Sequence, residues 1–483
     1  MARGSSARGP RPYATVPLGP WTAPGPARAS VSGVLPGTGA PGAAGRPVVW
    51  LLAGYPLWWA LGMGQFAYWL FAVPMAAELV RRHRTAGLRV PPGFWLWALF
   101  LVWSLLGLLL VPLDMPGAVP GSGGYGGALL RLVNYLVLTV LLLYVGNLTE
   151  RELPARAVVS ALSVLCLATI AGGYLGMAAP RFEFTAPLEY LLPPGLASDA
   201  YMQTLVHPAS AQVMDIFGYD SARPKAPWEY TNIWGYMLSL LLVWLVVGWV
   251  VQGAGWIRWG ASAAAALAVV PAVYSLNRAL WVGLALSLAY GAAVALRRGR
   301  AVLVGACAAA AVAALLVLAA SPLADVVRAR ADAPHSDDGR AATNAAAVEA
   351  ADLSPVMGWG TTRESQGSSD SIAVGPTSEC PGCGQHVIGN AGQLWMTLIT
   401  TGWVGAALFT GFFARVAWRY RATASPVGQG ALLTVLLLFW YMFFYVALMS
   451  PLAVTMVAVA LLWRDGGTGP RRRGAARTRG GLR

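Results

Sequence analysis

Long apolar runs, separated by shorter polar stretches, dominate the chain from residue 47 to residue 463. Several of these runs are close to the roughly 20 residues that a helix needs to cross a bilayer. Gly and Pro inside some runs are compatible with helices, because neighbouring helices in a membrane satisfy the backbone. The pattern predicts an all-α polytopic membrane protein with about twelve transmembrane helices. The runs cover residues 47–62, 64–80, 91–113, 127–147, 157–177, 231–252, 256–275, 279–296, 301–321, 391–414, 429–449 and 451–463.

Composition agrees with this class. The chain is 57% hydrophobic and 11% charged, with a mean hydropathy of +0.57, whereas a soluble domain carries about 25% charged residues. Basic residues concentrate in clusters at 81–84, 297–300, 415–421 and 471–479. The positive-inside rule places these clusters and both termini in the cytoplasm, in a multi-pass protein of the cell membrane. The net charge of +14 is then explained by anchoring to membrane lipids, and nucleic-acid binding is not expected.

The polar segments divide the chain into three regions. Residues 1–46 and 464–483 are rich in Arg, Gly, Pro and Ala, and this composition predicts disordered cytoplasmic tails. Residues 47–463 form the predicted transmembrane domain. Two of its outer segments are long, 178–230 and 322–390. Because long loops in compact proteins are usually functional or disordered, we expect the functional site to involve these two extracytoplasmic segments.

Several cations lie at the outer ends of predicted spans. Arg131 is a few residues into one span, Arg223 and Lys225 precede another, and Arg278 lies in a tight turn between two apolar runs. A charge at membrane depth is costly and should face a cavity or a partner. Together these residues predict a basic pocket for a phosphate or pyrophosphate whose lipid tail lies in the bilayer, since guanidinium groups bind phosphate in bidentate geometry.

Structural alternatives exist for the same residues. Arg278 would snorkel from a short loop to the headgroups, and Arg131 would pair with an acid such as Glu229. Thr231 or Asn232 would cap the span that begins there.

Cysteine and histidine residues offer further candidate chemistry on the outer side. Cys380 and Cys383 form a CPGC sequence, and His386 is the only potential ligand nearby. A zinc site needs four ligands, so a local disulfide is favoured and no metal is predicted. His207, His335 and His386 are outer residues that exchange protons near neutral pH.

Four segments, in this order, resemble the superfamily of O-antigen ligases and O-antigen polymerases. They are APWEYTNIWGY at 226–236, SLNRALWVGLALSLAYG at 275–291, HSDDGRAATNAAAVEAADLSPVMGWG at 335–360 and IGNAGQLWMTLITTGWVGAALF at 388–409. The second resembles the short S-x-x-R turn of the family. The third resembles its outer-loop arginine followed by P-x-x-G-x-G.

The resemblance implies a membrane glycosyltransferase that needs no metal and no other cofactor. Its donor would be a glycan carried on polyprenyl pyrophosphate, and its acceptor another glycan or a lipid at the outer face of the membrane. Ligase and polymerase differ in the acceptor. Two other functions remain open: a polysaccharide flippase or transporter, which would need polar residues at mid-membrane and often repeats, and a non-catalytic envelope assembly protein.

The resemblance also assigns roles to residues. Arg223 and Arg278 match positions that contact the pyrophosphate, and Arg340 matches the outer-loop arginine. Many relatives carry a catalytic histidine at the position of Ala391. The candidates for the general base are therefore His386, Glu229 and Asp338.

Overall fold

The structure is a computed structural model that describes residues 40–215, 220–302, 304–305, 308, 335–365 and 387–467. Most of these residues are helical. Two antiparallel strand pairs join β1 (Ala211–Asp215) to β2 (Asp220–Pro224) and β3 (Arg363–Glu364) to β4 (Val387–Ile388). The α-helices are α1 (Arg46–Ala53), α2 (Tyr55–Ala60), α3 (Gly64–Ala86), α4 (Phe94–Gly107), α5 (Tyr125–Asn147), α6 (Ala155–Ala178), α7 (Pro194–Ala197), α8 (Ala200–Val206), α9 (Thr231–Leu245), α10 (Gly255–Leu267), α11 (Val269–Tyr274), α12 (Arg278–Arg297), α13 (His335–Leu353), α14 (Gln393–Tyr420), α15 (Pro426–Tyr441) and α16 (Ser450–Gly467).

Within the described residues, six helical segments are long and apolar enough to cross a membrane. The mostly helical fold is thus confirmed, and helices of this length and composition indicate a membrane protein. The predicted run at 47–62 is divided between α1 and α2 at Gly54, and the run at 301–321 lies largely outside the described residues. The six segments are Tyr125–Asn147, Ala155–Ala178, Thr231–Val251, Gly255–Tyr274, Arg278–Arg297 and Gln393–Tyr420.

Helix α16 forms the centre of the bundle. Each residue from 452 to 462 is at most 2% exposed, and α16 packs against α15, α5 and α9. A helix that is apolar on all faces belongs in the interior of a larger helical assembly. The sequence of α16 is therefore explained by protein contacts, without contact to lipid.

The Arg–Glu ion pairs of the described residues lie at one end of the bundle, near the C-terminal ends of α3 and α16. Glu78 at the end of α3 binds Arg82, which also binds Glu152, and Glu150 binds Arg464 at the end of α16. Arg82 belongs to the basic cluster at 81–84 and Arg464 to the C-terminal tail, and both were predicted to be cytoplasmic. Helix α12 runs from Arg278 to this end over 20 residues, about 30 Å.

The third and fourth segments of the family resemblance contact each other. Helix α14 is broken at Gly402, where φ is 66°. Before the break, the N–H groups of Trp359 and Gly360 donate to the carbonyls of Ile399 and Thr400 at 2.7 and 3.0 Å. After the break, the N–H of Trp403 donates to the carbonyl of Pro355 at 2.8 Å. A Cβ atom on Gly402 would lie 2.6 Å from the Pro355 oxygen. Glycine is therefore required at the break, and the bonds satisfy the freed backbone groups.

Candidate functional site

A large cavity opens at the end of the bundle opposite to the ion pairs. Its volume is about 1020 Å³, at the upper end of the size range of small-molecule sites. Charged, amide, aromatic and aliphatic side chains contribute to its wall. The described lining residues are Gln65, Tyr201, Leu205, Gln212, Arg223, Glu229, Tyr230, Asn232, Ile233, Leu276, Asn277, Arg278, Ala279, Val282, Arg340, Ala341, Asn344, Asn390, Trp440, Phe443, Phe444, Tyr445, Val446, Leu448 and Met449.

Three arginines from distant parts of the chain meet in this cavity. Arg223 comes from β2, Arg278 is the first residue of α12, and Arg340 lies on α13. With Glu229 they are the charged residues of the described wall. The structure thus brings together three of the arginines that the sequence analysis selected.

The turn before α12 holds two of the arginines in place. Arg223 donates from Nε to the carbonyl of Ser275 at 2.7 Å and from a terminal nitrogen to Asn232 at 3.3 Å. Leu276 has φ of 53°, a backbone region that non-glycine residues rarely occupy. Asn277 accepts a hydrogen bond from the N–H of Leu280 at 2.9 Å and so caps α12. This cap fixes the start of the helix on which Arg278 lies.

Tyr445 is a residue of the site that the sequence analysis did not identify. Its hydroxyl donates to Asn277 Oδ1 and lies beside the guanidinium groups of Arg340 and Arg223. Sequence alone assigned the residue to the predicted span at 429–449, but α15 ends at Tyr441. No local sequence signal distinguishes Tyr445 from the other aromatic residues of that run.

Glu229 supplies the carboxylate of the cavity. It is half-buried, and its Oε1 accepts a hydrogen bond from the Tyr55 hydroxyl at 3.3 Å. Burial raises the pKa of Glu229 above its ordinary value, although the Tyr55 hydrogen bond and the charge of Lys225 partly offset this. A carboxylate with a raised pKa is a stronger base, which suits it to accept a proton near neutral pH.

Two predicted cations do not reach the described wall of the cavity. Lys225 is half-buried beside Glu229 and Glu183, and burial lowers the pKa of its ammonium group. Arg131 donates a hydrogen bond to the hydroxyl of Thr361 at 2.6 Å, whereas the alternative from the sequence was a pair with Glu229. The capping alternative also differs from the structure: Tyr230 is the N-cap of α9 and makes no side-chain capping bond.

The other candidate bases are only partly described. His386 and the CPGC sequence lie outside the described residues, as does the side chain of Asp338 in α13. Ala391 lies next to Asn390, which lines the cavity. No group of three or more metal-ligating side chains occurs in the part of the chain that the structure describes.

The remaining lining residues include both amide and apolar side chains. The amide groups, which donate and accept hydrogen bonds, belong to Gln65, Gln212, Asn232, Asn344 and Asn390. The apolar residues include Ala279, Val282, Trp440 and Phe443. Val282 and Phe443 are each 42% exposed, so apolar lining residues also reach the outer surface of the helices.

No protein-family model and no curated protein matches this chain. The residues of the cavity and the resemblance of its motifs are therefore the basis on which a function is inferred.

Proposed function

We propose that this chain is a membrane glycosyltransferase that moves a polyprenyl-pyrophosphate-linked glycan onto a glycan or lipid acceptor at the outer face of the membrane. The observation that supports the proposal most strongly is the meeting of Arg223, Arg278 and Arg340 in one cavity that also contains Glu229. Three guanidinium groups match the charge and the bidentate hydrogen bonding of a pyrophosphate.

The reaction requires little from the protein beyond charge and position. The acceptor hydroxyl oxygen attacks the anomeric carbon of the donor, and the bond from that carbon to the pyrophosphate oxygen breaks. The arginines stabilise the negative charge that develops on the leaving pyrophosphate. Glu229 accepts the proton of the attacking hydroxyl, and the amide groups hold the sugar rings in place.

The lining residues include partners for both parts of such a donor. The polyprenyl tail would pass Val282 and Phe443, which line the cavity and are partly exposed. The glycan would bind to the amide groups. In this orientation the cavity faces outward, both termini lie in the cytoplasm and about twelve segments cross the membrane.

Deletion of the gene tests the function directly. Lipid-linked glycans would accumulate: long chains if the protein is a ligase and single repeat units if it is a polymerase. The deletion strain complemented with Arg223→Ala or Arg278→Ala should keep this defect. The matched control is Arg258→Ala, because Arg258 is exposed at the start of α10 and donates to the carbonyl of Gly253. Normal lipid-linked pools in the deletion strain would contradict the proposal.

A further inference from the structure

A second, much smaller cavity lies directly behind Glu229. Its volume is about 10 Å³, on the scale of a single water molecule. Glu229 lines both cavities and so forms part of the wall between them. The other polar side chains of the small cavity are Tyr55, Thr204 and His207. A water there would have the two to four polar partners that a buried water needs.

His207 connects this small cavity to the surface. Its Nδ1 lies 2.9 Å from Glu189 Oε2, and its Nε2 lies 3.8 Å from Glu183 Oε2. A neutral imidazole that donates from Nδ1 to Glu189 has an acceptor lone pair on Nε2. The side chains of His207 and Glu183 are 25% and 65% exposed, so solvent reaches the imidazole.

The proposed reaction creates a need for such a route. Each transfer leaves one proton on Glu229, and Glu229 must lose it before the next turnover. While donor and acceptor fill the large cavity, they cover the face of Glu229 that is directed toward it. The small cavity, which Glu229 also lines, offers the proton a second way out.

We propose that His207 is a proton relay for Glu229: the proton passes from the carboxyl group through a water in the small cavity to His207 Nε2, and from there to solvent beside Glu183. The inference depends on the proposed function, because it assigns a route to the proton that glycosyl transfer releases. No bond other than those to the proton changes, and Glu229 returns to its carboxylate form. His207 acts through Glu229 and does not touch the substrate.

Hydrogen–deuterium exchange of the Glu229 carboxyl group, followed by infrared spectroscopy, tests the relay. The protonated-carboxyl band is assigned by its loss in Glu229→Gln. The full-length protein is measured with the large cavity open and after saturation with polyprenyl pyrophosphate that carries no glycan. We expect His207→Gln to slow exchange at least tenfold in the saturated protein and to leave exchange in the open protein unchanged. The matched control is His83→Gln, because His83 is exposed in the basic cluster at the end of α3.

The possible outcomes distinguish a failure of the relay from a failure of the proposed function. Saturable lipid binding with equal exchange in the wild-type and His207→Gln proteins would overturn the relay alone. Slow exchange of His207→Gln in both the open and the saturated protein would show that the substitution acts through the structure, and this result would also overturn the relay. Absence of saturable lipid binding in the wild-type protein would contradict the proposed function instead. If His207→Gln does not fold, Thr204→Val removes another polar group of the small cavity and should slow exchange in the saturated protein in the same way.

Discussion

Glu229 combines two properties that a general base requires. It lies in the wall of the cavity, and burial raises its pKa. The Tyr55 hydroxyl, which also lies 3.3 Å from Ser450 Oγ, holds one carboxylate oxygen in place. Since a base must be within reach of its proton before its pKa matters, position is the first argument for Glu229, and the raised pKa is the second.

We predict that Glu229→Gln lowers the transfer rate by about 10²- to 10⁴-fold, the usual contribution of general-base catalysis. The donor for the assay is the lipid-linked glycan that accumulates in the deletion strain. The pKa of Glu229 is raised and the deprotonated form is active, so the rate should increase with pH and its midpoint should lie above the ordinary carboxyl value of 4.5. An unchanged rate in Glu229→Gln would show that Glu229 is not the general base and would leave His386 and Asp338 as the candidates.

Sequence alone identified some residues of the cavity and missed others. Arg223, Arg278 and Arg340 were found because a charge next to an apolar run is conspicuous and because their motifs resemble a known family. Tyr445 and Asn344 were not found, because tyrosine and asparagine are common at helix ends and no local pattern reveals which of them face a shared cavity. Lys225 was selected for the same reason as Arg223, yet it is not among the described lining residues and interacts electrostatically with Glu229 and Glu183.

At the scale of elements, the turn from Ser275 to Asn277 organises the cavity. It receives Arg223 through a backbone carbonyl, and Asn277 binds both the start of α12 and the hydroxyl of Tyr445. The S-x-x-R pattern selected Arg278, which lines the cavity. The pattern does not indicate that Asn277, between the two motif residues, links α12 to the segment after α15.

We predict that Asn277→Ala weakens the binding of polyprenyl pyrophosphate as well as the stability of the protein. Loss of an N-cap lowers the free energy of unfolding by about 0.5–2 kcal/mol. The substitution also removes the hydrogen bond that holds Tyr445 beside Arg340. Ser425→Ala is the matched control, because Ser425 caps α15 in the same way, at 2.9 Å from the N–H of Gly428. Both substitutions should lower the temperature of thermal unfolding, but only Asn277→Ala should lower the affinity for polyprenyl pyrophosphate. An equal loss of affinity in Ser425→Ala would contradict the role of the turn.

The break in α14 shows how far motifs alone predict structure. Both segments, 335–360 and 388–409, were recognised separately from the sequence. Their mutual contact depends on backbone hydrogen bonds between residues at least 40 positions apart, and hydropathy and spacing contain no information about it.

At the scale of the whole molecule, hydropathy correctly predicted a mostly helical membrane protein. Both lipid and a protein interior favour apolar residues, so the apolar run of α16 did not reveal that other helices enclose its central turns. The run at 429–449 likewise includes a non-helical segment after Tyr441 that lines the cavity. Length and composition do not separate these cases.

The prediction of sidedness concerns two groups of charged residues. The basic cluster at 81–84 and the C-terminal tail were expected in the cytoplasm, and Arg82 and Arg464 pair with Glu152 and Glu150. The arginines of the cavity were expected on the outer side, and α12 extends over 20 residues from Arg278. The side of the membrane on which each group lies stays a prediction.

The central claim is that the cavity binds a polyprenyl pyrophosphate through Arg223, Arg278 and Arg340. The most direct test measures equilibrium binding of polyprenyl pyrophosphate to the purified protein in lipid nanodiscs. We expect saturable binding that is tighter than binding of the monophosphate, and a loss of about 10- to 100-fold for each arginine replaced by alanine, because a hydrogen bond to a charged group contributes about 1.5–3 kcal/mol. Equal affinity for both lipids, or unchanged affinity in all three variants, would contradict the account.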